Sequence, residues 1–477
     1  MIQEIIKADL CIIGAGSGGL SFAAGAAQLG LKTVLIEAGE MGGDCLNTGC
    51  VPSKALLAAG KRAQAHRKND ILGIAPHEPD IDYTAVKDHV TDVIATIAPH
   101  DSQERFEELG VHVIRAFGQF VDSKTVQAGD QIIKAKRFVI ATGSRAFVPP
   151  IKDLDESKIL TNENIFDLRE KPTHLLIIGG GPIGLEMAQA HRRLGCEVSV
   201  FDMGKILPRD DQKNVEIIRN ALIKEGINLY EDFAIDSIVH NDNGHEIHGK
   251  NHGESFVING SHILVAAGRA VNTNGLNLDK AGVEFDRRGV KVNDKLQSSK
   301  KHIYAIGDVA GGPQFTHVAG YHAGLLIKQI CFKIPAKIDY SALPWVTYTD
   351  PELAQVGLTE QVARDQYGDS IKVTEWKFDG NDRAIAEKTT NGQARVITDK
   401  KGRVLGASIV GPQAGELISI WGLAITQKLK LSAITSTIAA YPTLGEINKR
   451  AAGAFYTPSL FSDKTRKIVR FLHKLPF

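Results

Sequence analysis

The stretch IIGAGSGGLSFAAGAAQLGLKTVLIE, Ile12 to Glu37, decides the fold because it recurs: shifted by 165 residues, it aligns without a gap on IIGGGPIGLEMAQAHRRLGCEVSVFD, Ile177 to Asp202. Each copy runs from an apolar strand through Gly-x-Gly-x-x-Gly to a small residue, Ala23 or Ala188. A helix closed by Gly30 or Gly195 follows, then a second strand ending in an acid. This is the pattern of a strand-helix-strand unit that holds a dinucleotide. Gly14 and Gly179 permit the tight turn, Gly16 and Gly181 let the backbone approach a pyrophosphate, and Gly19 and Gly184 bring helix against strand. The helix N-terminus then faces the phosphates. Glu37 and Asp202 stand where a ribose 2′-hydroxyl is recognised. Two dinucleotide folds are therefore expected in one chain. After Asp202 come Met203, Gly204 and Lys205, with no arginine to take a 2′-phosphate, so NADH is favoured over NADPH at the second site.

The chain has 477 residues and is 43% hydrophobic, enough for about three domains at roughly 150 residues each. With 56 basic against 55 acidic side chains the net charge is +1, so no overall field attracts nucleic acid, and no nucleic-acid partner is expected. Leu10 to Leu31 is uncharged and long enough to span a bilayer, but Gly14, Gly16, Gly18, Gly19, Gly25 and Gly30 interrupt it, and a nucleotide loop explains them better. The opening MIQEIIKADLCIIG runs straight into a strand without a basic segment or cleavage site, so a cytoplasmic location is expected. From about Ile338 the pattern changes. DYSALPWVTYTDPELAQVGLT reads as strands and turns, and GELISIWGLAITQKL and LSAITSTIAA read as helices of a further domain. Pro149-Pro150 and Pro335 mark joints.

Five cysteines are too few for a secreted disulfide scaffold, yet Cys45 and Cys50 lie close together in GGDCLNTGCVPSK, Gly42 to Lys54, just before an apolar helical run. Pro52 suits the first turn of that helix. In a regular helix, Cα atoms five residues apart lie about 8 to 9 Å from each other, beyond the roughly 7 Å a disulfide tolerates. A bridge here needs distorted backbone, which Gly49 permits; such a bridge would be reducible, and the helix N-terminus would lower the Cys50 pKa. Buried thiols or a metal-bound pair are the alternatives that the residues leave open.

With this segment, both glycine fingerprints, ATGS at Ala141 to Ser144, AAGR at Ala266 to Arg269 and IYAIGDVA at Ile303 to Ala310, the chain resembles the class I pyridine nucleotide-disulfide oxidoreductases over essentially its whole length. That family includes dihydrolipoamide dehydrogenase, glutathione reductase and mercuric reductase. The resemblance implies an α/β fold: two Rossmann-type domains, for FAD and for NAD(P)H, and an α+β C-terminal dimerisation domain. It divides the chain into 1–150 and 273–340 for FAD, 151–272 for the nicotinamide cofactor, and 341–477 for homodimerisation. It implies FAD held by Gly14, Gly16, Gly19 and Glu37, with Gly118 and Gly143 beside it and Asp308 on the ribityl chain. The nicotinamide cofactor would be held through Gly179, Gly181, Gly184 and Asp202, with Gly268 at its edge. Lys54 and Glu186 match an ion pair near the flavin, and Cys45 and Cys50 match the redox disulfide. By this analogy Cys50 is the thiolate facing the flavin and Cys45 attacks the substrate. No separate metal-ligand set is assigned.

Disulfide-reducing members carry His-Pro-Thr-x-x-Glu in the third domain, supplied across the dimer interface. This chain has Tyr441-Pro442-Thr443-Leu444-Gly445-Glu446. A phenol with a pKa near 10 is a poor proton acceptor at neutral pH, and Glu446 remains without the imidazole it normally orients. Mercuric reductase also has tyrosine there, although its C-terminal cysteine pair is absent here, the last cysteine being Cys331. The expected activity is therefore electron transfer from NAD(P)H through FAD and the cysteine pair to a small disulfide, metal ion or other soft electrophile. One alternative is the dihydrolipoamide dehydrogenase component of a 2-oxo acid complex. Another is a flavin-bearing component that docks to a membrane partner with little turnover. KTRKIVRFLHKLPF, Lys464 to Phe477, is basic with Ile468, Phe471, Leu472 and Leu475 on one helical face. That face is expected to cover the dimerisation domain, with weak contact to a membrane or membrane protein as the alternative. Cys11 and Cys196 are expected to be buried and inert.

Overall fold

The computed structural model describes residues 5–242 and 244–475. In the first half, β1 (Ile5–Ile13), α1 (Ser17–Gln28) and β2 (Thr33–Glu37) form the unit expected from the repeat. The strands β1 and β2 pair in parallel, Leu10 opposite Thr33 and Ile13 opposite Ile36. The strand Val111–Arg115 lies outside β2 and Gln131–Ile140 on the other side of β1. Gln131–Ile140 is long enough to serve two neighbours. Its first half pairs antiparallel with Thr125–Ala128, and its last residues pair in parallel with Ile303–Ala305. The chain thus returns to its first sheet after passing through the second half.

The second half repeats this design. Strands Asn228–Tyr230, Glu197–Phe201, His174–Ile178 and His262–Val265 form a parallel sheet in that spatial order, with the helix Pro182–Arg193 after the second glycine turn. A three-stranded antiparallel meander, Phe233–Asn241, Gly244–Asn251 and Glu254–Gly260, stands beside it. Short strands Ser144–Ala146 and Arg269–Val271 pair antiparallel and tie the halves together. The central parallel strands of both halves are largely apolar and buried over residues 10–13, 34–36, 175–178 and 198–201, as strands covered on both faces require.

The C-terminal part is a five-stranded antiparallel sheet in the spatial order Pro344–Thr347, Glu352–Gly357, Val404–Gly411, Gln393–Asp399 and Ile371–Lys377. Trp421 and Ile447 from the helices Ser419–Thr426 and Glu446–Ala454 are buried in its core. The α/β class with an α+β C-terminal part is as expected. Two local expectations are corrected. LSAITSTIAA is helical only over Leu431–Thr435. There the Thr435, Ser436 and Thr437 hydroxyls donate back to the carbonyls of Ser432, Ser432 and Ile434, competing with continuation of the helix. The tail does not cover the dimerisation domain of its own chain. Ser462 caps a new helix, Asp463–Leu472, which has no buried side chain. Cys11 and Cys196 are fully buried, and burial pushes both thiols up.

Candidate active site

The two glycine turns are built alike. Gly14 and Gly179 adopt φ of 108° and 119°, and a Cβ on either would fall 2.4 Å from a carbonyl oxygen, that of Ala141 or Ala266. The Ala-Thr-Gly and Ala-Ala-Gly segments therefore do the same work in the two halves, each running under a first glycine. Gly19 and Gly184 line no part of the cleft. A Cβ on either would lie 1.9 Å from the carbonyl oxygen of Gly14 or Gly179, so they act through the approach of helix to turn. Glu37 accepts from the backbone N–H groups of Ala15 at 2.6 Å and Gly39 at 2.7 Å. Asp202 accepts from those of Gly180 at 2.7 Å and Gly204 at 2.8 Å. Each acid thus braces its own glycine turn as well as standing at the strand end.

One cleft of about 2220 Å³ joins the halves. It is lined by Gly14, Gly16, Glu37, Gly118, Gly143 and Asp308 on one side and by Gly179, Gly181, Asp202 and Gly268 on the other. Cys45, Cys50, Lys54 and Glu186 line it too. The volume exceeds the roughly 300–1,000 Å³ of a pocket for one small ligand, and the side-chain-free turns suit a pyrophosphate in each half. Residues expected from three distant motifs converge here.

The cysteine pair sits at a break between two helices. Cys45 is in α2 (Gly43–Asn47) and Cys50 is the first residue of α3 (Cys50–Arg67), with Gly49 at φ −130° and ψ −112° between them. The structure holds the pair as thiols. The Cys45 S–H donates to the Cys50 sulfur, and this bond, aided by Thr316 and the nearby Lys54 ammonium, brings the Cys50 pKa down to about 6. Cys45 is pushed up by the same bond and by burial. The Thr316 hydroxyl lies 3.3 Å from the Cys50 sulfur. One thiolate and one protonated thiol at neutral pH are the consequence.

Lys54, one turn into α3, donates to Glu186 at 2.7 Å, and Glu186 is 4% exposed. The other Glu186 oxygen accepts from the Tyr348 backbone N–H at 3.0 Å, while the Lys54 ammonium lies 4.4 Å from the centre of the Tyr348 ring. This clamp joins α3, the second-half helix and the C-terminal sheet region. Asp308 accepts from the Ser144 hydroxyl at 2.5 Å, and burial raises its pKa. Three residues that sequence reasoning left without a role complete the site. Arg269 donates to the Ser144 hydroxyl at 2.7 Å and faces Asp44 at 3.2 Å. Asp44 accepts from Thr48 at 3.0 Å and Asn162 at 2.7 Å, bracing the loop between the cysteines. Thr316 opens the helix Thr316–Leu326 far along the chain. Arg269 ends one recognised motif and Asp44 lies inside another, but nothing local to Thr316 marked it.

Tyr441 and Glu446 are not brought to the thiols within the protomer. Tyr441 is 70% exposed and donates to Asp382 at 2.9 Å, an interaction that raises its pKa. Glu446 starts the helix Glu446–Ala454 on a separate shallow pocket shared with Trp376 and Arg450.

Two dinucleotide cradles meeting over a thiol pair define an oxidoreductase that couples a nucleotide cofactor to sulfur chemistry. The chain belongs to the pyridine nucleotide-disulphide oxidoreductase family, which matches residues 8–323, with that family's dimerisation domain at residues 343–452. It is accordingly an FAD-dependent enzyme that uses NAD(P)H and carries a domain for homodimerisation. It is 34% identical over 450 residues to mercuric reductase of Lysinibacillus sphaericus, covering 94% of this chain and 82% of that one. It is also 34% identical over 454 residues to dihydrolipoyl dehydrogenase of Geobacillus stearothermophilus, covering 94% and 96%. The solved HOCl-induced flavoprotein disulfide reductase RclA from Escherichia coli superposes with a TM-score of 0.84 at 25% identity, covering 93% of this chain and 99% of that one. Its Cu(II) complex gives 0.83, covering 92% and 98%. Among the described residues no helix is long and apolar enough to cross a membrane.

Proposed function

We propose that this enzyme carries electrons from NADH through FAD and the Cys45-Cys50 couple to a thiophilic metal ion, mercuric or cupric, in preference to a disulfide. The observation that carries this reading is Tyr441. The position that supplies a proton-accepting imidazole to disulfide-reducing relatives holds a phenol, whose pKa its bond to Asp382 raises further. Cys45 keeps its proton at neutral pH, and thiol-disulfide exchange would leave that proton without an acceptor. A soft cation removes the difficulty, because ligation itself displaces the thiol proton to water. A relative at 34% identity is a mercuric reductase, and the RclA fold is solved as a Cu(II) complex.

Gly14, Gly16, Glu37, Gly118, Gly143 and Asp308 would hold FAD, with Gly19 setting the turn from behind. Gly181, Asp202 and Gly268 would hold NADH, with Gly179 and Gly184 shaping the second turn. When bound, the nicotinamide and flavin supply two-electron chemistry by hydride transfer. The Lys54-Glu186 pair fixes a positive charge beside the cleft where negative charge builds up on reduction. In the reduced pair Cys50 would be the thiolate, its pKa brought down to about 6, and Cys45 would be the sulfur offered to the acceptor. The balance is NADH and Hg(II) giving NAD⁺, Hg(0) and a proton, or NADH and two Cu(II) giving NAD⁺, two Cu(I) and a proton. NADH is favoured because Asp202 ends the strand and Lys205 is engaged by Asp232.

Dihydrolipoamide oxidation is the second reading, favoured by the fuller length match to the Geobacillus relative. A steady-state panel of mercuric ion, cupric ion, lipoamide, glutathione disulfide and quinone with NADH separates them. Turnover with a metal ion at least about tenfold above lipoamide is expected, and Tyr441→His should narrow that gap by raising lipoamide turnover about a hundredfold. Faster turnover of lipoamide by the unaltered enzyme would overturn the proposal. Bleaching of the flavin by NADH with no acceptor reduced would point to a carrier that hands electrons to a partner.

A further inference from the structure

The helix Asp463–Leu472 carries chemistry that the redox site does not use. Ser462 caps it, accepting from the Thr465 backbone N–H. At about 100° per residue, Ile468, Phe471, Leu472 and the following Leu475 fall within an arc of roughly 100°, while Arg466, Lys467, Arg470 and Lys474 occupy a similar arc on the opposite side. The apolar side is open: Phe471 is 64% exposed and Ile468 48%. Phe461 and Leu460, just before the cap, extend the exposed apolar surface. Asp463, the one acid between Asp463 and Phe477, is spent on Arg466 at 3.5 Å.

We propose that this helix lies on an anionic lipid surface, its apolar face in the headgroup boundary and its cations on the phosphates. The charge pattern selects this occupant over a second copy of the chain. Lys464, Arg466, Lys467, Arg470 and Lys474 stand against the single acid Asp463, an excess of like charge that anionic lipid complements and a second copy of the same helix would repeat. Position agrees, since the family's dimerisation domain ends at residue 452, before the helix begins. An amphipathic helix of this kind binds reversibly and without spanning the bilayer, through apolar burial plus roughly fivefold in partition per lysine or arginine.

The test is co-sedimentation of the full-length holoenzyme with vesicles of equal parts phosphatidylcholine and phosphatidylglycerol, and with pure phosphatidylcholine, at about 50 mM and about 500 mM salt. Protein should pellet with the mixed vesicles at low salt and stay in solution in the other conditions. Replacing Arg470 and Lys474 with alanine should weaken partition about 25-fold, and Phe471→Asp should abolish it. NADH-dependent flavin reduction and gel-filtration volume should be unchanged in every variant. Equal recovery in the supernatant with both vesicle types would overturn the proposal. So would dissociation of the dimer in the Phe471→Asp variant, which would assign the apolar face to a second copy.

Discussion

Cys50 shows how a few neighbours set reactivity. A free thiol ionises near 8.5, so at pH 6 under one in a hundred is thiolate. At Cys50 the Cys45 S–H, the Thr316 hydroxyl and the Lys54 charge together outweigh burial and bring ionisation to about pH 6. The reduced enzyme should therefore react with iodoacetamide at a rate that rises through pH 6, with mass spectrometry placing the pH-dependent label on Cys50. Lowering the pH through 6 protonates the sulfur and slows the reaction. Thr316→Val removes one hydroxyl and keeps the shape, so the rate at pH 6 should fall about threefold while the rate at pH 9 is unchanged. An unaltered profile would leave Thr316 a packing residue. Tyr441 has the opposite character: its bond to Asp382 favours the protonated phenol, so it can donate or ligate but does not serve as a base at neutral pH.

The strand-turn-helix units were legible because their chemistry is local. Gly14, Gly19 and Glu37 lie within one continuous stretch, and their spacing states both turn and ligand. The equivalence of Ala141 and Ala266 was not legible. The first copy carries the extra helices Cys50–Arg67 and Tyr83–Ile97 between its glycines and its closing alanine, so no fixed shift aligns them. Asp44 and Arg269 were quoted within motifs but not joined, since only folding brings residues this far apart to 3.2 Å. Hydroxyl competition stopped the Leu431–Thr435 helix early, an effect that apolar periodicity does not register. The twin turns also predict a dissection. Gly19→Ala drives a methyl group into the Gly14 carbonyl and should yield protein that loses its yellow colour on gel filtration. Gly184→Ala does the same at Gly179, and should yield yellow protein whose KM for NADH rises at least about tenfold. Flavin retained in the first variant, or NADH affinity unchanged in the second, would assign the cofactors differently.

At the scale of the whole molecule, the cleft of one protomer holds both thiols while Tyr441 and Glu446 stand outside it, on the domain that the family uses to dimerise. If a complete site takes its thiols from one chain and its tyrosine from the other, defects in the two should complement. Cys45→Ser removes the sulfur proposed to meet the substrate, and Tyr441→Phe removes the phenol that would face it from across the interface. Each homodimer should be impaired with a metal acceptor, although NADH still reduces the flavin in both. Mixed after reversible dissociation, half of the dimers would be hybrids, and each hybrid would contain one site with both groups intact and one with neither. A sample of random hybrids should then recover about a quarter of the unaltered rate beyond the sum of the parents. Recovery cannot arise if the tyrosine serves its own chain's thiols, because every site in a hybrid would then still lack one group. Steady-state rates before and after exchange, with native mass spectrometry to count the hybrids, distinguish the two arrangements.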